Sequence, residues 1–379
     1  MRLSAIIAAS LITLATGCNL LGLSNRPDQD SDLLNPPHNQ SVLTPSLESR
    51  SAHTATLLND GRVMVAGGFD DRIWPTATVE IFDPRSGMWT AATEMGTSRA
   101  YHAATILSRG RVLITGGLGP DLTPIASAEV WDPETGLWSP YLSMAARRRG
   151  HSAIELQDGR ILIVGGVGQS GPLALAEIYD PTDDSGWLTN NMLEAHSGHT
   201  TLLLPDGRVI VIGGLKQGSA LSRAEVYQPS TEKWSYTSRL RRRTFSHSSI
   251  VLQDGSVMII GGFGAGEGPI SVEIYNSSND TWSKMESTLN DGRSLHSATM
   301  LKDGRVLVVG GSNARGNMAT TELYDPSTGI WTPAGVLDAG RAVHTATLLK
   351  DGRVLIVGGG VDVVETFDPY SGTWVSSNK

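Results

Sequence analysis

The chain has 379 residues, a formal net charge of −8 and a pI near 5.6. This acidic balance argues against nucleic acid as a main partner, because phosphate binding needs a basic surface. The composition, with 40% hydrophobic residues, 18% charged residues and 43 glycines, describes a globular chain rich in tight turns. The one cysteine, Cys18, excludes internal disulfides, cysteine-rich zinc sites and a cysteine nucleophile in the rest of the chain.

The first predicted element is an export signal. A basic start, Met1-Arg2, precedes the apolar stretch Leu3 to Leu14 and the sequence Ala15-Thr16-Gly17-Cys18. This segment resembles the signal and lipobox of bacterial lipoproteins, which implies cleavage before Cys18, diacylation of its sulfur and N-acylation in Gram-negative cells. Two or more acyl chains make a durable membrane anchor. The alternative is an ordinary secretory signal in which the cysteine is incidental.

Asn19 stands where an aspartate would resemble the signal for inner-membrane retention. We therefore expect a signal peptide over residues 1–17 and an outer-membrane lipoprotein whose mature part faces the periplasm or the cell surface. Residues 18–41 are polar, contain Pro27, Pro36 and Pro37 and lack periodic apolar residues. That composition predicts a flexible tether.

From residue 42 onward one pattern recurs about every 48 residues, which predicts a solenoid or a propeller. Each copy contains a histidine, a Gly-Gly pair, a glutamate and a tryptophan. The histidines are His53, His102, His151, His199, His247, His296 and His344. The Gly-Gly pairs begin at Gly67, Gly116, Gly165, Gly213, Gly261, Gly310 and Gly358. The glutamates are Glu80, Glu129, Glu177, Glu225, Glu273, Glu322 and Glu365. The tryptophans are Trp89, Trp138, Trp187, Trp234, Trp282, Trp331 and Trp374.

Each copy predicts four short strands, A to D, because its apolar runs alternate with strong turn signals. Between strands A and B an Asp-Gly pair such as Asp351-Gly352 favours a primed turn, and the second copy keeps only the glycine, as Arg109-Gly110. Between strands C and D an Asp-Pro pair such as Asp83-Pro84 predicts a turn in which the aspartate bonds to its own backbone. The fifth copy has Asn276-Ser277 there.

One unit of this size cannot bury both faces of its sheet alone, so neighbouring sheets must cover each other. The tryptophans are predicted to be buried between them. The Gly-Gly pair, the aromatic residue shortly after the glutamate and the closing tryptophan resemble the kelch family. The resemblance implies an all-β, seven-bladed kelch propeller over residues 42–379, with four antiparallel strands per blade. Val42 to Leu47 and Trp374 to Ser377 both align with a D strand, so we expect both ends to complete the seventh blade.

In such a blade the D-A and B-C connections lie on one face and the A-B and C-D turns on the other. The turns are nearly uniform among the copies, whereas the B-C loops vary, and variable loops on a rigid frame are where recognition is expected. The candidate ligand-binding residues in these loops are Asp70, Asp71, Trp74, Asp121, Gln169, Lys216, Glu267, Asn313 and Arg315.

Arginines precede most of the histidines on the same face. They are Arg50, Arg99, Arg148, Arg243, Arg293 and Arg341, with His196 in the fourth copy. Regular placement favours a structural role in hydrogen bonding between blades, and it favours the same for the seven histidines. The triplets are better candidates for an anionic sugar or an acidic peptide, because guanidinium binds carboxylate in bidentate fashion. These triplets are Arg147, Arg148 and Arg149, and Arg241, Arg242 and Arg243. His196 and His199 form the only close histidine pair, and we expect no nearby carboxylate or cysteine to complete a metal site with them, so no metal is predicted there.

The repeats also resemble the kelch propeller of galactose oxidase, and Tyr101-His102 is superficially similar to a copper ligand pair. That enzyme needs a tyrosine cross-linked to cysteine, and no cysteine follows Cys18. We therefore expect no catalytic residues, cofactor or metal. The predicted function is a monomeric, non-enzymatic binding module at the cell envelope that presents its loops to a protein or glycan. The alternative is similarity to periplasmic kelch proteins that interconvert sialic acid anomers.

Overall fold

A computed structural model describes residue 46, residues 48–264 and residues 272–377. The predicted signal peptide, Cys18 and the tether up to residue 41 lie outside the described residues, and so does Glu267. No helix within the described ranges is long and apolar enough to cross a membrane.

The chain forms seven four-stranded antiparallel sheets, each from one contiguous segment, which confirms the predicted seven-bladed all-β propeller. Blade one contains β1 (Thr54–Leu57), β2 (Val63–Ala66), β3 (Val79–Asp83) and β4 (Met88–Ala92). Blade two contains β5 (Ala103–Ile106), β6 (Val112–Thr115), β7 (Ala128–Trp131) and β8 (Trp138–Tyr141). Blade three contains β9 (Ser152–Glu155), β10 (Ile161–Val164), β13 (Ala176–Asp180) and β14 (Ser185–Leu188). Blade four contains β15 (Thr200–Leu203), β16 (Val209–Ile212), β19 (Ala224–Gln228) and β20 (Lys233–Tyr236).

Blade five contains β21 (Ser248–Val251), β22 (Val257–Ile260), β23 (Glu273–Asn276) and β24 (Thr281–Lys284). Blade six contains β25 (Ser297–Met300), β26 (Val306–Val309), β29 (Thr320–Asp325) and β30 (Ile330–Val336). Blade seven contains β31 (Thr345–Leu348), β32 (Val354–Val357), β33 (Glu365–Asp368) and β34 (Thr373–Ser376). Three B-C loops carry small hairpins, formed by β11 (Val167–Gly168) with β12 (Gly171–Pro172), β17 (Leu215–Lys216) with β18 (Ser219–Ala220), and β27 (Ser312–Asn313) with β28 (Gly316–Asn317). A single 3-10 turn, η1 (Ser108–Gly110), lies between β5 and β6.

The A strands lie side by side around the central axis, and β31 packs against β1 to close the ring. All four strands of blade seven come from Thr345 to Ser376. The hydroxyl of Ser46 donates to the carbonyl of Asp362 (3.3 Å), so the N-terminal segment passes beside this blade. The rest of the predicted Val42 to Leu47 contribution lies outside the described residues.

The B strands form the core of every blade, and all their residues are buried. Both faces of a blade are covered by neighbours, so a B strand is an uninterrupted apolar run such as Ile161–Val164. Between blades seven and one, Val63 and Val65 pack with Leu355 and Val357 in one buried cluster. The ring is thus closed by the same apolar packing that joins its other blades.

The Gly-Gly pair is required because each glycine touches the backbone of a D-A connection. A Cβ on Gly67 would lie 2.5 Å from the carbonyl oxygen of Arg99 and 2.8 Å from the ring of His102, both in the next blade. A Cβ on Gly68 would lie 2.6 Å from the carbonyl oxygen of Ser51 in the same blade. The motif therefore marks the closest backbone approach between consecutive blades.

The A-B turns differ from the predicted primed type. In blade one the amide of Gly61 donates to the carbonyl of Leu58 (2.9 Å), and Gly61 has a φ of 93° while Asp60 has a negative φ. This is a three-residue loop, in which an ordinary turn is followed by a left-handed glycine. The prediction of a primed turn was wrong because Asp-Gly also fits this loop, in which only the glycine needs positive φ.

The C-D turns have the predicted side-chain bond to backbone. The carboxylate of Asp83 accepts from the amide of Arg85 (2.9 Å), and Asn276 accepts from the amide of Ser278 in blade five (2.9 Å). An amide oxygen replaces a carboxylate oxygen without changing the turn.

The closing tryptophans are half-buried or buried in six blades, and Trp187 of blade three is the exception. In blade five Trp282 pairs with Tyr275 across the strands, and the two ring centroids are 4.7 Å apart. In blade three Gly186 pairs with Tyr179, and Trp187 is one residue further along the strand. A shift of one residue places a side chain on the opposite face of a strand. Trp187 is therefore 37% exposed, which corrects the prediction that it closes its blade.

Candidate functional site

The regular arginines are buried ion-pair partners of the repeated glutamates. The guanidinium of Arg99 donates to the carboxylate of Glu129 (2.5 Å) and to the carbonyls of Gly116 and Ser127 (2.9 and 3.0 Å). The other oxygen of Glu129 accepts from the amide of Gly96 (2.6 Å). The pair thus fastens the incoming D-A connection to the C strand of its own blade. Equivalent pairs are Arg50–Glu80, Arg148–Glu177, Arg293–Glu322 and Arg341–Glu365.

Contact between blades runs through the backbone of the same arginine. The carbonyl of Arg99 accepts from the amide of Gly68 in the preceding blade (2.9 Å). The predicted structural role of these arginines is therefore confirmed, and it has two parts. The guanidinium acts within the blade, and the carbonyl joins that blade to its neighbour.

Blades four and five depart from this arrangement. In blade four Nε2 of His196 contacts the carboxylate of Glu225 (3.0 Å) and Nδ1 contacts the carbonyl of Gly213 (2.6 Å), so the imidazole takes the place of a guanidinium. We expected no carboxylate near His196, and this expectation was wrong. Glu225 is distant from His196 in sequence but adjacent to it in the fold. In blade five Thr244, rather than Arg243, occupies the buried position, and its hydroxyl donates to the carbonyl of Gly261 (3.3 Å).

The seven strand-start histidines form a buried ring, in which all the imidazoles except that of His296 bond with a hydroxyl group of the preceding blade. Nε2 of His102 bonds with the hydroxyl of Thr54 in the preceding blade (2.9 Å), and Nε2 of His247 bonds with Thr200 (2.8 Å). Burial lowers the pKa of His102 and of His247 to about 3. Burial keeps these imidazoles neutral, and six of the seven bond with a neighbouring blade, which is the structural role that the regular spacing predicted.

Immediately before these histidines, seven residues encircle the axis on the face of the D-A and B-C connections, called here the loop face. They are Ala52, Tyr101, Gly150, Gly198, Ser246, Leu295 and Val343, and all have left-handed backbone conformations. Backbone hydrogen bonds join several neighbours in this circle, including Ala52 to Val343 (3.2 Å) and Tyr101 to Ala52 (2.9 Å). Their side chains differ between blades, so the circle is where the regular frame becomes asymmetric.

The loop face carries a cleft of about 400 Å³ formed by the B-C loops of blades one, two and three, called here the apolar cleft. Its lining is Phe69, Ile73, Leu118, Leu122, Thr123, Pro124, Arg149, Val167, Gly168, Gln169 and Gly171. Antiparallel bridges such as Ala100 to Leu118 and Arg149 to Val167 tie the loops to the D-A connections. Both sets of connections are therefore on one face, as predicted.

The cleft is lined by two non-glycine residues in left-handed conformations. Ile73 has a φ of 65° and Leu122 a φ of 58°. A β-branched or bulky residue in this region is strained, and such strain concentrates at binding and active sites. Leu122 is also 44% exposed, which is unusual for a leucine held in a strained turn. The backbone is thus held so that apolar side chains face the cleft.

The structure places the predicted loop residues at several different points of the loop face. Gln169 and Arg149 line the apolar cleft, and Asp121 lies at its edge with its carboxylate bonded to Thr123 (2.8 Å). Arg148 is fully buried in its ion pair, so the ligand prediction for this triplet is left to Arg147 and Arg149. Trp74 and Asp71 are exposed in the blade-one loop, and Asp70 accepts from the amide of Trp74 (2.8 Å).

The remaining predicted residues lie away from the cleft. Lys216 pairs with Glu194 (3.3 Å), and Asn313 accepts from the amide of Arg315 (2.8 Å). Arg241 and Arg242 donate their backbone amides to Glu273 (3.0 and 3.1 Å), while Arg243 donates from its side chain to the carbonyl of Ala220 (3.2 Å). The structure does not bring the two arginine triplets into one site.

Sequence reasoning missed the apolar lining of the cleft. Phe69 and Leu118 follow their Gly-Gly pairs directly, and Ile73 and Leu122 stand at the same offset in the loops of blades one and two. Apolar residues at equal positions in two neighbouring loops could have predicted the cleft. The candidates were instead chosen mainly among polar and charged residues. Phe69 and Leu118 are themselves buried at the base of the cleft, whereas Leu122 is 44% exposed.

Metal ligands do not converge in the described ranges, where no group of three His, Cys, Asp or Glu side chains could hold a metal ion. His102, of the Tyr101-His102 pair that is similar to a copper ligand pair, is engaged with Thr54 through Nε2 (2.9 Å). These residues do not fit a copper centre.

The sequence matches two family models. The model for the KLHDC2/KLHL20/DRC7 Kelch-repeats domain matches residues 187–360, and the Kelch motif matches residues 50–96 and 99–144. No curated protein matches the chain. Among solved structures, a copper-bound fungal alcohol oxidase of the AA5 family is 20% identical with a TM-score of 0.66, and the match covers 84% of this chain and 71% of the oxidase.

The structure of YjhT is 16% identical with a TM-score of 0.59, and this match covers 77% of this chain and 99% of YjhT. At such identities the likeness concerns the fold alone. The family models, the sevenfold repeat and the seven four-stranded sheets agree with one another. A kelch fold supports, at its most general, a module for interaction with other molecules. The chain is a kelch-repeat β-propeller with seven blades.

Proposed function

We propose that this chain is a non-enzymatic binding module of the cell envelope that presents its loop face to a protein or glycan. The observation that carries the proposal is the apolar cleft, which three successive B-C loops build on one face. On the opposite face all seven A-B turns share one backbone hydrogen bond, and six C-D turns share a side-chain bond to backbone. Variation concentrated on one face of a rigid frame is the pattern of a recognition surface.

The envelope location rests on the N-terminal sequence, which lies outside the described residues. Cys18 would carry the lipid, and residues 18–41 would give the propeller reach from the outer membrane. Fatty-acid labelling of the expressed chain tests this location. We expect label on the wild type and none on Cys18→Ser, and an unlabelled wild type contradicts the anchor.

The alternative, a sugar anomerase, needs an acid and a base that face a bound sugar. The strand-start histidines are buried, and six of the seven are bonded to a neighbouring blade. Arg149 is the one ionisable side chain in the described lining of the apolar cleft, and an arginine stays protonated. These features favour binding over proton transfer.

The experiment compares purified mature protein with two variants. Leu122→Asn removes apolar surface from the cleft and keeps a residue that tolerates the left-handed backbone. Arg85→Ser is the matched control, because Arg85 is exposed on the opposite face. Both are applied to a glycan array and to reciprocal capture of envelope components identified by mass spectrometry.

We expect a partner that wild type and Arg85→Ser retain and that Leu122→Asn loses. The same preparations are incubated with pure sialic acid and followed by NMR. Accelerated exchange between the anomers would overturn the non-enzymatic proposal. Equal capture by all three proteins would contradict the assignment to the loop face.

A further inference from the structure

The apolar cleft contains a cation without an anionic partner. Arg149 is half-buried, and its guanidinium carbon lies 5.9 Å from the centroid of the Tyr101 ring. Burial lowers the pKa of Arg149, an effect that the Tyr101 hydroxyl opposes. Within the described residues this guanidinium contacts the Tyr101 ring but forms no ion pair with a carboxylate and donates no hydrogen bond to a carbonyl. A charge in such a place is costly unless something neutralises it.

The neighbouring arginines show how different this environment is. Arg148 is fully buried and donates to Glu177 (2.5 Å) and to the carbonyls of Gly165 and Leu175 (both 3.1 Å). Arg147 is exposed to solvent and outside the cleft lining. Of the three consecutive arginines, Arg149 is the one that lines the cleft and whose guanidinium donates no hydrogen bond within the described residues.

The walls around Arg149 are mostly hydrophobic. Phe69, Leu118 and Val167 come from three different blades, and Leu122 and Pro124 extend one side. Thr123 and Gln169 are the polar neutral side chains of the lining, and Thr123 is already bonded to Asp121. A ligand with many hydroxyl groups would bury them here without enough partners, which is unfavourable.

The charge at the rim limits the ligand's own charge. Asp121 is exposed next to Leu122 and Thr123, and hydrogen bonds to Thr123 lower the pKa of its carboxyl. The positive charge of Arg147 also acts on this carboxyl, so the rim carries one charge of each sign. The cation inside the cleft, Arg149, then suits a ligand with a single negative charge.

We propose that the apolar cleft binds a hydrophobic carboxylate. Its carboxylate accepts paired hydrogen bonds from the guanidinium of Arg149, and its apolar body lies against Leu118, Leu122 and Phe69. This inference rests on the proposed function and narrows it, because it names the chemistry that the loop face recognises. A sugar acid does not fit, since its hydroxyls would face apolar walls.

The test is calorimetric titration of the mature protein with three probes, phenylacetate, naphthoate and octanoate, each alongside its neutral amide. Three proteins are compared: wild type, Arg149→Gln and the matched control Arg147→Gln. Thermal unfolding of each protein confirms that the fold is retained. As a second cleft variant, Leu118→Ala shortens one wall and leaves the cation in place.

We expect at least one acid to bind wild type and Arg147→Gln equally, and Arg149→Gln to bind it about ten- to a hundredfold more weakly. The amides should bind wild type, Arg149→Gln and Arg147→Gln with the same weak affinity. Leu118→Ala should weaken binding of the acid, but the acid should still bind more tightly than its amide. Equal affinity for acid and amide, unchanged affinity in Arg149→Gln, or no binding of any acid would overturn the inference.

These outcomes are distinct from failure of the proposed function. If the acids fail but Leu122→Asn still abolishes capture of an envelope partner, the loop face is a binding surface for another ligand chemistry. If both experiments fail, the cleft has no role in binding. Tighter binding of sialic acid than of the hydrophobic acids would also reject the inference, in favour of a polar ligand.

Discussion

Nε2 of His53 and the hydroxyl of Thr345, which are 292 residues apart in sequence, form a hydrogen bond of 2.9 Å. The same bond joins His102 to Thr54 between blades one and two (2.9 Å). The junction between the first and last blades therefore uses the contact that joins other blades. Burial disfavours the charged form of these imidazoles, and this connects the geometry of the ring with pH.

The free energy of unfolding should fall as the solution becomes acidic. Burial lowers the pKa of His344 and His199 to about 3 and that of His53 well below its usual value, whereas an unfolded histidine titrates near 6.5. Below about pH 6.5 the unfolded chain binds more protons, so stability falls until the folded pKa is reached. Each such histidine contributes a slope of about 1.4 kcal/mol per pH unit. Urea unfolding at about pH 7 and about pH 5 measures the difference; equal midpoints would contradict the buried neutral ring.

Replacing Arg99 with methionine should be strongly destabilising. Glu129 would remain buried without its cation, and removal of one member of a buried ion pair typically costs about 3–5 kcal/mol. Arg62→Met is the control, because Arg62 and Asp60 form an exposed pair and its loss should cost about 1 kcal/mol or less. Chemical denaturation measures both variants. Similar losses for the two would mean that the buried pair does not fasten the blade.

Thr244→Arg should stabilise blade five by supplying the missing cation. Burial raises the pKa of Glu273, although backbone bonds from Arg241 and Arg242 oppose this shift. The ionised carboxylate therefore lowers wild-type stability as the pH rises through its folded pKa, and an arginine would relieve that cost. We expect a larger gain in melting temperature at neutral pH than in acid. Thr244→Met is the control of similar size without charge, and an equal gain from methionine would attribute the effect to packing.

The two kinds of tryptophan should respond differently to truncation. Trp282 is 5% exposed between blades, so Trp282→Ala should cost about 3–5 kcal/mol, whereas Trp187→Ala should cost about 1 kcal/mol or less. Fluorescence provides an independent check, because removal of Trp187 should take away a red-shifted component. A large loss of stability in Trp187→Ala would contradict the exposed position of its side chain.

The repeat predicted the frame because every blade solves the same packing problem. Gly67, His102 and Glu129 recur with fixed spacing, and their contacts lie between elements that also recur. The errors occurred where one blade departs by a single position. In blade five Thr244 occupies the buried position, and Arg243 lies one residue before it. In blade three Gly186 pairs with Tyr179, so Trp187 lies one residue further along and on the other face of the strand.

The candidate site was less predictable for a related reason. The B-C loops have no common pattern, and the apolar cleft arises only when the loops of three blades meet. Arg149 could be selected as a ligand candidate from sequence, but its distinction from Arg148 depends on which guanidinium reaches Glu177. Arg148 stands three residues before His151, which is the spacing of the other buried arginines from their histidines, so the register of the repeat separates Arg148 from Arg149.

Site-specific photo-crosslinking in the intact envelope tests the central claim most directly. A photoreactive residue replaces Leu122 or Gln169 in the apolar cleft, and in a control strain it replaces Arg85 on the opposite face. The account predicts a discrete crosslinked species from both cleft positions and none from Arg85. Crosslinking from Arg85 alone, or equal yield from both faces, would contradict the assignment of binding to the loop face.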